Sequence, residues 1–325
     1  MTAALLRRLA TAATVLFLVV SATFLLLEAL PGGPDAIAED PRVSPAARAR
    51  LRRSLGLEQP LAERYLRFVA ATARGDWGVS LVDQRPVARV IVEAAPHTAA
   101  LAVAALAIEL LLGVPLGVAA ARRAGGRFDR ALRAGSLALW SIPSFWLGLA
   151  LVVTVALRVP WLPAGGLASP DSAGWPLPAR LADLARHLAL PALALGLPAA
   201  AGTARFARAA LLEVEHEPFV LAARARGLGR RTLFLRHELL PASAPLVEAA
   251  GLSAAALLSG SLAVEVVFSR PGLGRLAYEA LGARDYPVLL AATTCAAAAV
   301  VAASVLAELL HSLLDPRARR ERHAH

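Results

Sequence analysis

The chain has 325 residues, of which 57% are hydrophobic, and its formal net charge is +10. Its mean hydropathy is +0.58, and its apolar fraction exceeds the roughly 45–50% of a soluble globular domain. All basic residues are arginines, which excludes a GxxxxGK[ST] phosphate-binding loop, a Schiff-base lysine and a lysine general base. The single cysteine, Cys295, cannot form an intramolecular disulfide, and no Cys/His spacing indicates a metal site.

Six apolar runs are long enough to cross a bilayer, which takes roughly 20 helical residues each. They cover residues 9–30, 98–121, 134–157, 188–204, 242–268 and 287–314. The fourth is the shortest and contains Pro191 and Pro198; membrane helices tolerate prolines when neighbouring helices satisfy the freed carbonyls. The sequence therefore predicts an all-α polytopic membrane protein with six transmembrane helices.

The arginines cluster beside these apolar runs, which is typical of membrane orientation signals and not of a nucleic-acid-binding surface. The most basic segments are residues 7–8, 122–133, 205–236 and 317–322. They alternate with less basic segments at residues 31–97, 158–187 and 269–286, which are expected on the external side because cytoplasmic loops carry the excess of basic residues. We therefore expect both termini in the cytoplasm, membrane lipid as a partner and no nucleic acid.

The segment between the first two spans, residues 31–97, is expected on the external side. Ser44 precedes Pro45 and a run of helix formers, which is typical of a helix N-terminus. Apolar residues then recur at helical spacing over Leu61–Ala73. This segment is predicted to form a small helical subdomain.

Acidic residues inside the apolar runs are candidates for function, because intramembrane carboxylates are costly and usually face the bundle interior or water. Glu109 fits two interpretations equally: a substrate path or proton relay, or a structural partner for an arginine or a backbone group. The structural interpretation is favoured for Glu248 and Glu265, and Glu308 lies near the cytoplasmic end of its span.

Two further features of the spans have open interpretations. In the third span, Pro143 with flanking serines predicts a local break, which either lines a pore or is a packing kink bonded by its own serines. In the fifth span, small residues such as Ser259 permit close helix contact or leave room for a path. Candidates for a translocation path are Glu109, Pro143, Ser144, Ser259 and Glu265.

The basic link between spans four and five is predicted to form two short helices at an angle. Residues 211–226 contain strong helix formers and are predicted as one helix. Gly227 and Gly229 break it, and residues 230–240 start another. Such a pair either lies on anionic lipid or docks a soluble protein.

If the link docks a protein, the apolar contact is expected at Phe219, Val220 and Leu228.

This link resembles the EAA loop of ABC importer permeases, whose pattern is approximately E-A-A-x-x-x-G. Here it is Leu221-Ala222-Ala223-x-x-x-Gly227, with leucine in place of the glutamate that is often missing in the dipeptide/oligopeptide/nickel branch. Other stretches similar to that branch run in order along nearly the whole chain, at residues 30–34, 75–80, 141–148, 161–166, 265–268, 271–274, 284–288 and 314–317. Their order and spacing make the resemblance specific.

The resemblance implies a cell-membrane permease subunit that forms half of the translocation path of a binding-protein-dependent importer. Its implied partners are a second homologous permease, two cytoplasmic ABC ATPases and an external solute-binding protein. It implies no enzyme activity or cofactor in this chain, and ATP hydrolysis in the ATPases. The ATPase contact is expected at Phe219, Ala222, Ala223, Arg226, Gly227, Leu228 and Arg231.

The resemblance also suggests a domain division. It comprises an N-terminal segment with the first span (1–30), the external subdomain (31–97), a permease domain (98–314, with a coupling loop at 205–241) and a cytoplasmic tail (315–325). Di- and oligopeptides are the leading substrates, while nickel complexes, glutathione and oligosaccharides remain open.

The chain departs from the branch at Leu240-Pro241, where an Arg-Asn pair is usual, although the branch proline is present as Pro245. The additional proline predicts a tilted or shortened second coupling helix.

The alternative function is a secondary, ion-coupled transporter that uses the intramembrane carboxylates, with the basic link bound to lipid. An intramembrane enzyme is disfavoured, because no HExxH motif occurs and Cys295 has no nearby histidine to activate it.

Overall fold

The computed structural model describes residues 2–29 and 58–314, with side chains at 6–29 and 58–309 except residue 244. Over these residues the chain is almost entirely helical, and its only β pairing is an isolated bridge between Val79 and Pro86. The motif at residues 30–34, the helix expected after Ser44 and the tail at 315–325 lie outside the described residues.

The helices follow one another along the chain. They are α1 (Thr2–Ala29), α2 (Leu61–Ala73), α3 (Val87–Ala121), α4 (Arg127–Trp140), α5 (Ser144–Leu151), α6 (Leu177–Glu215), α7 (Pro218–Ala225), α8 (Leu240–Val267), α9 (Leu273–Gly282) and α10 (Tyr286–Leu314). A π-helical stretch, Val152–Ala156, extends α5, and a 3₁₀ turn, Pro170–Gly174, precedes α6. The helix expected over Leu61–Ala73 is confirmed as α2.

Five of these helices are long and apolar enough to cross a membrane: α1, α3, α6, α8 and α10. Helices α4 and α5 form a sixth such segment if the pair, which is bent by 97°, is one span. The predicted all-α polytopic architecture is confirmed, while the orientation inferred from the arginines stays a prediction.

The third span is divided at its proline, as the sequence predicted. Pro143 has an extended backbone with ψ 134° and stands immediately before α5. Proline cannot donate a helical hydrogen bond and disfavours helix in the residue before it. The Ser141 hydroxyl donates to the Leu137 carbonyl at 2.8 Å, so at least one flanking serine bonds its own helix.

The fourth span differs from expectation, because the run predicted as shortest belongs to the longest helix, the 39-residue α6. Both Pro191 and Pro198 lie inside it. The sequence underestimated its length because charged residues near the helix start, including Asp183 and His187, interrupt the apolar run. Both of these side chains are buried and hydrogen-bonded.

The described residues belong to two compact units. The first comprises Met1–Pro96 and Gly272–Val301, and its core contains Val87, Ile91 and Leu289. The buried Asp285 carboxylate accepts hydrogen bonds from the Ser80 hydroxyl and from the backbone amides at Leu81 and Val82. Two of the similar stretches noted in the sequence, residues 75–80 and 284–288, therefore meet in this unit.

The second unit comprises His97–Pro271 and Ala302–His325. Its core includes Leu101, Leu190 and Phe268. Helices α3 and α6 approach closely at glycines: a Cβ added at Gly117 would lie 2.5 Å from the Ala204 carbonyl oxygen. Added Cβ atoms at Gly113 and Gly196 would also come within 3 Å of the facing helix. Small residues permit this close contact, and it positions the polar groups described below.

The α3–α6 contact predicts that Gly117→Ala destabilises the protein. The added methyl group forces the two backbones apart, which costs about 1–3 kcal/mol and lowers the apparent melting temperature by a few degrees. Thermal unfolding of the purified chain in detergent measures this. Gly135→Ala is the control, because Gly135 lies in α4 with nothing within 4 Å of its added Cβ. Equal melting temperatures for the two variants would contradict the close approach.

Candidate functional site

The link between α6 and α8 forms a helical corner, which we define as residues 215–239. Helix α6 ends at Glu215 and α7 begins at Pro218, so the single helix expected over residues 211–226 is wrong. The cause is Pro218: it holds Glu217 in an extended conformation with ψ 141° and takes the first position of a new helix.

The second bend of the corner lies at Gly227, as the sequence predicted. Gly227 has φ +78°, in the left-handed region that glycine adopts without a steric penalty. Its amide donates to the Arg224 carbonyl at 3.0 Å, and the Leu228 amide donates to the Ala223 carbonyl at 3.5 Å. This pair of bonds is the Schellman arrangement that ends many helices.

The second helix of the corner is continuous with α8 and is not a separate element. A helical turn at Arg230–Thr232 passes into a π-helical stretch, Leu233–Leu239, and then into α8. The π-helical stretch ends just before the departure at Leu240-Pro241. Proline has no amide proton for the preceding turn, and a π-helical adjustment accommodates such an interruption. The additional proline therefore changes the hydrogen bonding of this helix without ending it.

The corner has its own small core. Val220, Ala223 and Leu233 are buried there, with Phe219 packed against them. Residues three apart lie on the same face of a helix, which explains why Val220 and Ala223 point inwards together. Neither is available as an exposed contact, contrary to the expectation for the apolar contact at Val220.

The outward face of the corner carries two exposed leucines and several arginines. Leu221 is 50% exposed and Leu228 is 37% exposed. Leu221 occupies the position of the glutamate that is missing from the EAA pattern. The sequence analysis did not predict Leu221 as a contact residue. Of the residues expected to contact the ATPase, the structure exposes Ala222, Arg226, Gly227, Leu228 and Arg231, whereas Phe219 is half-buried.

Charged contacts lie within the corner, and one joins it to the residue after α3. Arg224 pairs with Glu215 at 3.1 Å and lies 3.7 Å from Glu238. The Arg122 guanidinium lies 4.1 Å from the centre of the Phe234 ring. Exposed ion pairs contribute roughly 0–1 kcal/mol each, so the buried core contributes more to the rigidity of the corner. The contacts border a cavity of about 540 Å³.

Glu109 is a buried carboxylate that joins three helices. It lies in α3, is 1% exposed, and accepts hydrogen bonds from the Thr203 hydroxyl of α6 and the Ser253 hydroxyl of α8, the latter at 2.6 Å. The sequence suggested an arginine or a backbone group as the structural partner, and the partners are instead two hydroxyl groups. In this conformation the carboxylate is buried among these helices.

Glu265 anchors the far end of α8. Its side chain is fully buried and accepts a hydrogen bond from the Thr98 hydroxyl at 2.7 Å. Three residues further along, the Phe268 carbonyl accepts a hydrogen bond from the Gly166 amide at 2.8 Å. A Cβ added at Gly165 would lie 2.7 Å from the Phe268 carbonyl oxygen. Two more of the similar stretches, residues 161–166 and 265–268, are thus in contact.

The remaining path candidates lie in different environments. Pro143 and Ser259 are exposed and Ser144 is half-buried. Their assignment to a path stays a prediction.

Sequence reasoning missed several buried charged groups. Asp129 is fully buried and pairs with Arg208 through both carboxylate oxygens. It also accepts a hydrogen bond from the Gly125 amide at 2.9 Å. Asp183 accepts hydrogen bonds from the backbone amide and the hydroxyl of Ser169, both at 2.7 Å. The available signal was an acidic residue at the edge of an apolar run. Among the described residues, no group of three or more His, Cys, Asp or Glu side chains is arranged to hold a metal ion.

Two family models match this sequence. The model described as "Binding-protein-dependent transport system inner membrane component" matches residues 113–320. The model described as "Binding-prot-dependent transport system membrane comp, N-term" matches residues 1–102.

Curated relatives match over nearly their full lengths. The oligopeptide transport system permease protein AppB of Bacillus subtilis is 31% identical over 98% of this chain and 99% of that protein. The probable peptide ABC transporter permease protein y4tP of Sinorhizobium fredii is 33% identical over 97% of this chain and 98% of that protein. The dipeptide transport system permease protein DppB of Escherichia coli K12 is 32% identical over 92% of this chain and 94% of that protein.

The fold is also similar to that of solved structures. A chain from inward facing conformations of the MetNI methionine ABC transporter has a TM-score of 0.57 and 19% identity. The match covers 70% of this chain and 96% of that chain. At this level of identity the likeness shows a shared fold alone.

The family models, the curated relatives and the helical spans agree on one class of protein. The chain belongs to the family of binding-protein-dependent transport system inner membrane components and is a multi-pass inner membrane protein.

Proposed function

We propose that this chain is a permease subunit of an ATP-driven importer for di- or oligopeptides. In this proposal it forms half of the translocation path with a second homologous permease. An external binding protein delivers the solute, and two cytoplasmic ABC ATPases supply the energy. The observation that carries the proposal is the helical corner, a short ordered helix with its own core and an exposed face of leucines and arginines.

The outward face of the corner supports an ATPase as its partner. The 325 residues contain no GxxxxGK[ST] motif, so ATP energy reaches this chain through protein contact. Leu221 and Leu228 provide exposed apolar area and Arg231 provides an exposed charge in this corner. Phe219 and Ala223 were also expected in the contact. In this proposal they pack in the core of the corner and stabilise its outward face.

The continuity of the corner with α8 provides a mechanical connection. Helical backbone runs from Arg230 to Val267, so a push on the corner moves a helix that crosses the bilayer. Midway along this helix, Ser253 donates a hydrogen bond to Glu109 of α3. Glu265 lies near the far end of the helix. Rigid helices and packed interfaces that switch between discrete arrangements transmit such movements.

Peptides are the proposed solutes because the relatives with high coverage are named as oligopeptide, dipeptide and peptide permeases.

Co-purification and uptake test the assignment directly. We expect an affinity-tagged chain to co-purify with a second permease and an ATPase when all are expressed together. Peptide uptake should continue when a proton uncoupler is added while ATP is maintained. Uptake that stops with the uncoupler, with no ATPase in the purified complex, would instead identify an ion-coupled transporter.

The conformation of Gly227 predicts a difference between two matched alanine variants. Gly227→Ala forces a side chain into the left-handed region, at about 1–2 kcal/mol, and displaces the outward face of the corner. Gly229→Ala is the control, because Gly229 has φ −60° and nothing within 4 Å of its added Cβ. We expect Gly227→Ala to reduce substrate-stimulated ATPase activity severalfold and Gly229→Ala to leave it near wild type.

Leu228→Asp extends this test to the contact itself. It should abolish co-purification of the ATPase while membrane insertion is retained. Wild-type ATPase stimulation in both Gly227→Ala and Leu228→Asp would exclude the corner as the coupling element.

Glu109 separates the proposal from the ion-coupled alternative. If Glu109 is a structural acceptor, we expect Glu109→Leu to destabilise the chain by about 1–3 kcal/mol, because two hydroxyl groups lose their acceptor. Glu109→Gln keeps an acceptor and should be milder, and Glu248→Leu replaces an exposed carboxylate as the control. Thermal unfolding and ATP-driven uptake measure the effects. Loss of uptake in Glu109→Gln with an unchanged melting temperature would favour a proton relay.

A further inference from the structure

A buried arginine follows α8 and has hydrogen-bond donors without acceptors. Arg270 is 3% exposed, and its Nε and Nη1 atoms make no hydrogen bond to the part of the chain that the structure describes. Burying donors of a charged group without acceptors costs free energy. An acceptor that reaches Arg270 therefore gains a strong interaction.

Glu265 provides a negative charge that acts on Arg270 but does not accept hydrogen bonds from its Nε and Nη1 atoms. Glu265 acts on it electrostatically, and the Glu265 backbone carbonyl accepts the Arg270 amide at 2.8 Å. The Glu265 carboxylate also accepts the Thr98 hydroxyl. Burial lowers the pKa of the Arg270 guanidinium from its ordinary value, against the opposing effect of Glu265. Burial thus has the larger effect on this pKa, and Glu265 the smaller one.

His97 lies in the electrostatic surroundings of Arg270. The Arg270 charge acts on His97, so the region of the guanidinium contains a second nitrogen-bearing side chain. Both residues belong to the same compact unit and lie on the side predicted to be external, where a solute enters an importer. Guanidinium–carboxylate contacts are charge-assisted, short and strong.

We propose that Arg270 binds a carboxylate group of the transported solute, which for a peptide is its C-terminal carboxylate. This inference rests on the proposed function and names the chemical group that the permease recognises. Because Arg270 is buried in the present conformation, the solute reaches it after the external helix ends separate. The solute carboxylate then supplies the acceptors that Glu265 does not.

The test compares free-acid peptides with their C-terminal amides. The full complex, with its second permease, ATPases and binding protein, is reconstituted in proteoliposomes, and initial ATP-dependent uptake is measured for dialanine, trialanine and tetra-alanine in both forms. The ratio of acid to amide uptake is compared between wild type and Arg270→Gln. The binding protein is the same in both complexes, so its own preference cancels in this double-mutant cycle.

We expect the acid-to-amide ratio to fall about tenfold or more in Arg270→Gln, as loss of a charge-assisted contact implies. Arg284→Gln is the matched control, because it removes the same charge from an exposed arginine of the segment predicted to be external, and its ratio should equal that of wild type. If Arg270→Gln does not assemble, Arg270→Lys keeps the charge but loses the forked donors, and its ratio should still fall severalfold.

Two outcomes contradict the inference. One is an unchanged ratio in Arg270→Gln, which indicates a structural role when acid and amide uptake fall equally. The other is an unchanged ratio in an assembled Arg270→Lys when the glutamine variant does not assemble. The proposed function fails in a distinguishable way. In that case the wild-type complex transports no alanine peptide in either form, and the inference falls with it.

Discussion

The close approach of α3 to α6 is the constraint on which the second unit depends. A Cβ added at Gly113 would lie 2.9 Å from the Thr203 Cβ, so no larger residue fits between the helices without separating them. At this distance the Thr203 hydroxyl reaches Glu109, and Ser253 of α8 donates to the other carboxylate oxygen. Where water is scarce, a carboxylate is tolerated only with such partners.

The same physical rule explains the other buried charges. Asp129 pairs with Arg208, and Asp183 accepts two hydrogen bonds from Ser169. In the first unit, Asp285 accepts hydrogen bonds from Ser80 and from the adjoining backbone amides. Each acidic residue connects a helix to a different segment of the same unit. Polar contacts therefore set the register of these helices, and apolar packing fills the space between them. Arg270 departs from this rule, and a departure at a buried charge is where function is expected.

Helix α8 connects the two regions to which we assign function. It begins at the helical corner, contacts Glu109 midway and ends near Glu265 and Arg270. The π-helical stretch before Pro241 forms the end of the corner and leads into the bilayer-crossing part, and π-helical turns are frequent at functional sites. In the proposed mechanism, a force applied at the corner and a solute bound beyond Val267 would act on one continuous element, and packed rigid elements can carry coupling between distant sites.

Local signals predicted the elements whose causes are local. The apolar runs, the break at Pro143, the helix Leu61–Ala73 and the bend at Gly227 follow from hydropathy, proline chemistry and glycine conformation. The break at Pro218 was also readable from its proline, but the strong helix formers around it dominated the prediction. The length of α6 was not readable, because buried partners neutralise polar residues that interrupt its apolar run.

The sequence by itself determined the class of protein, its helical spans and the position of the corner, since each depends on neighbouring residues and on their similarity to a family. Only the tertiary structure decided which faces are buried and which groups meet. Glu109 bonds residues 94 and 144 positions away, and the inward turn of Val220 and Ala223 depends on Leu233 packing against them. Such contacts arise from the packing of whole helices. The lack of acceptors for Nε and Nη1 of Arg270 among the described residues likewise follows only from the positions of all neighbouring groups.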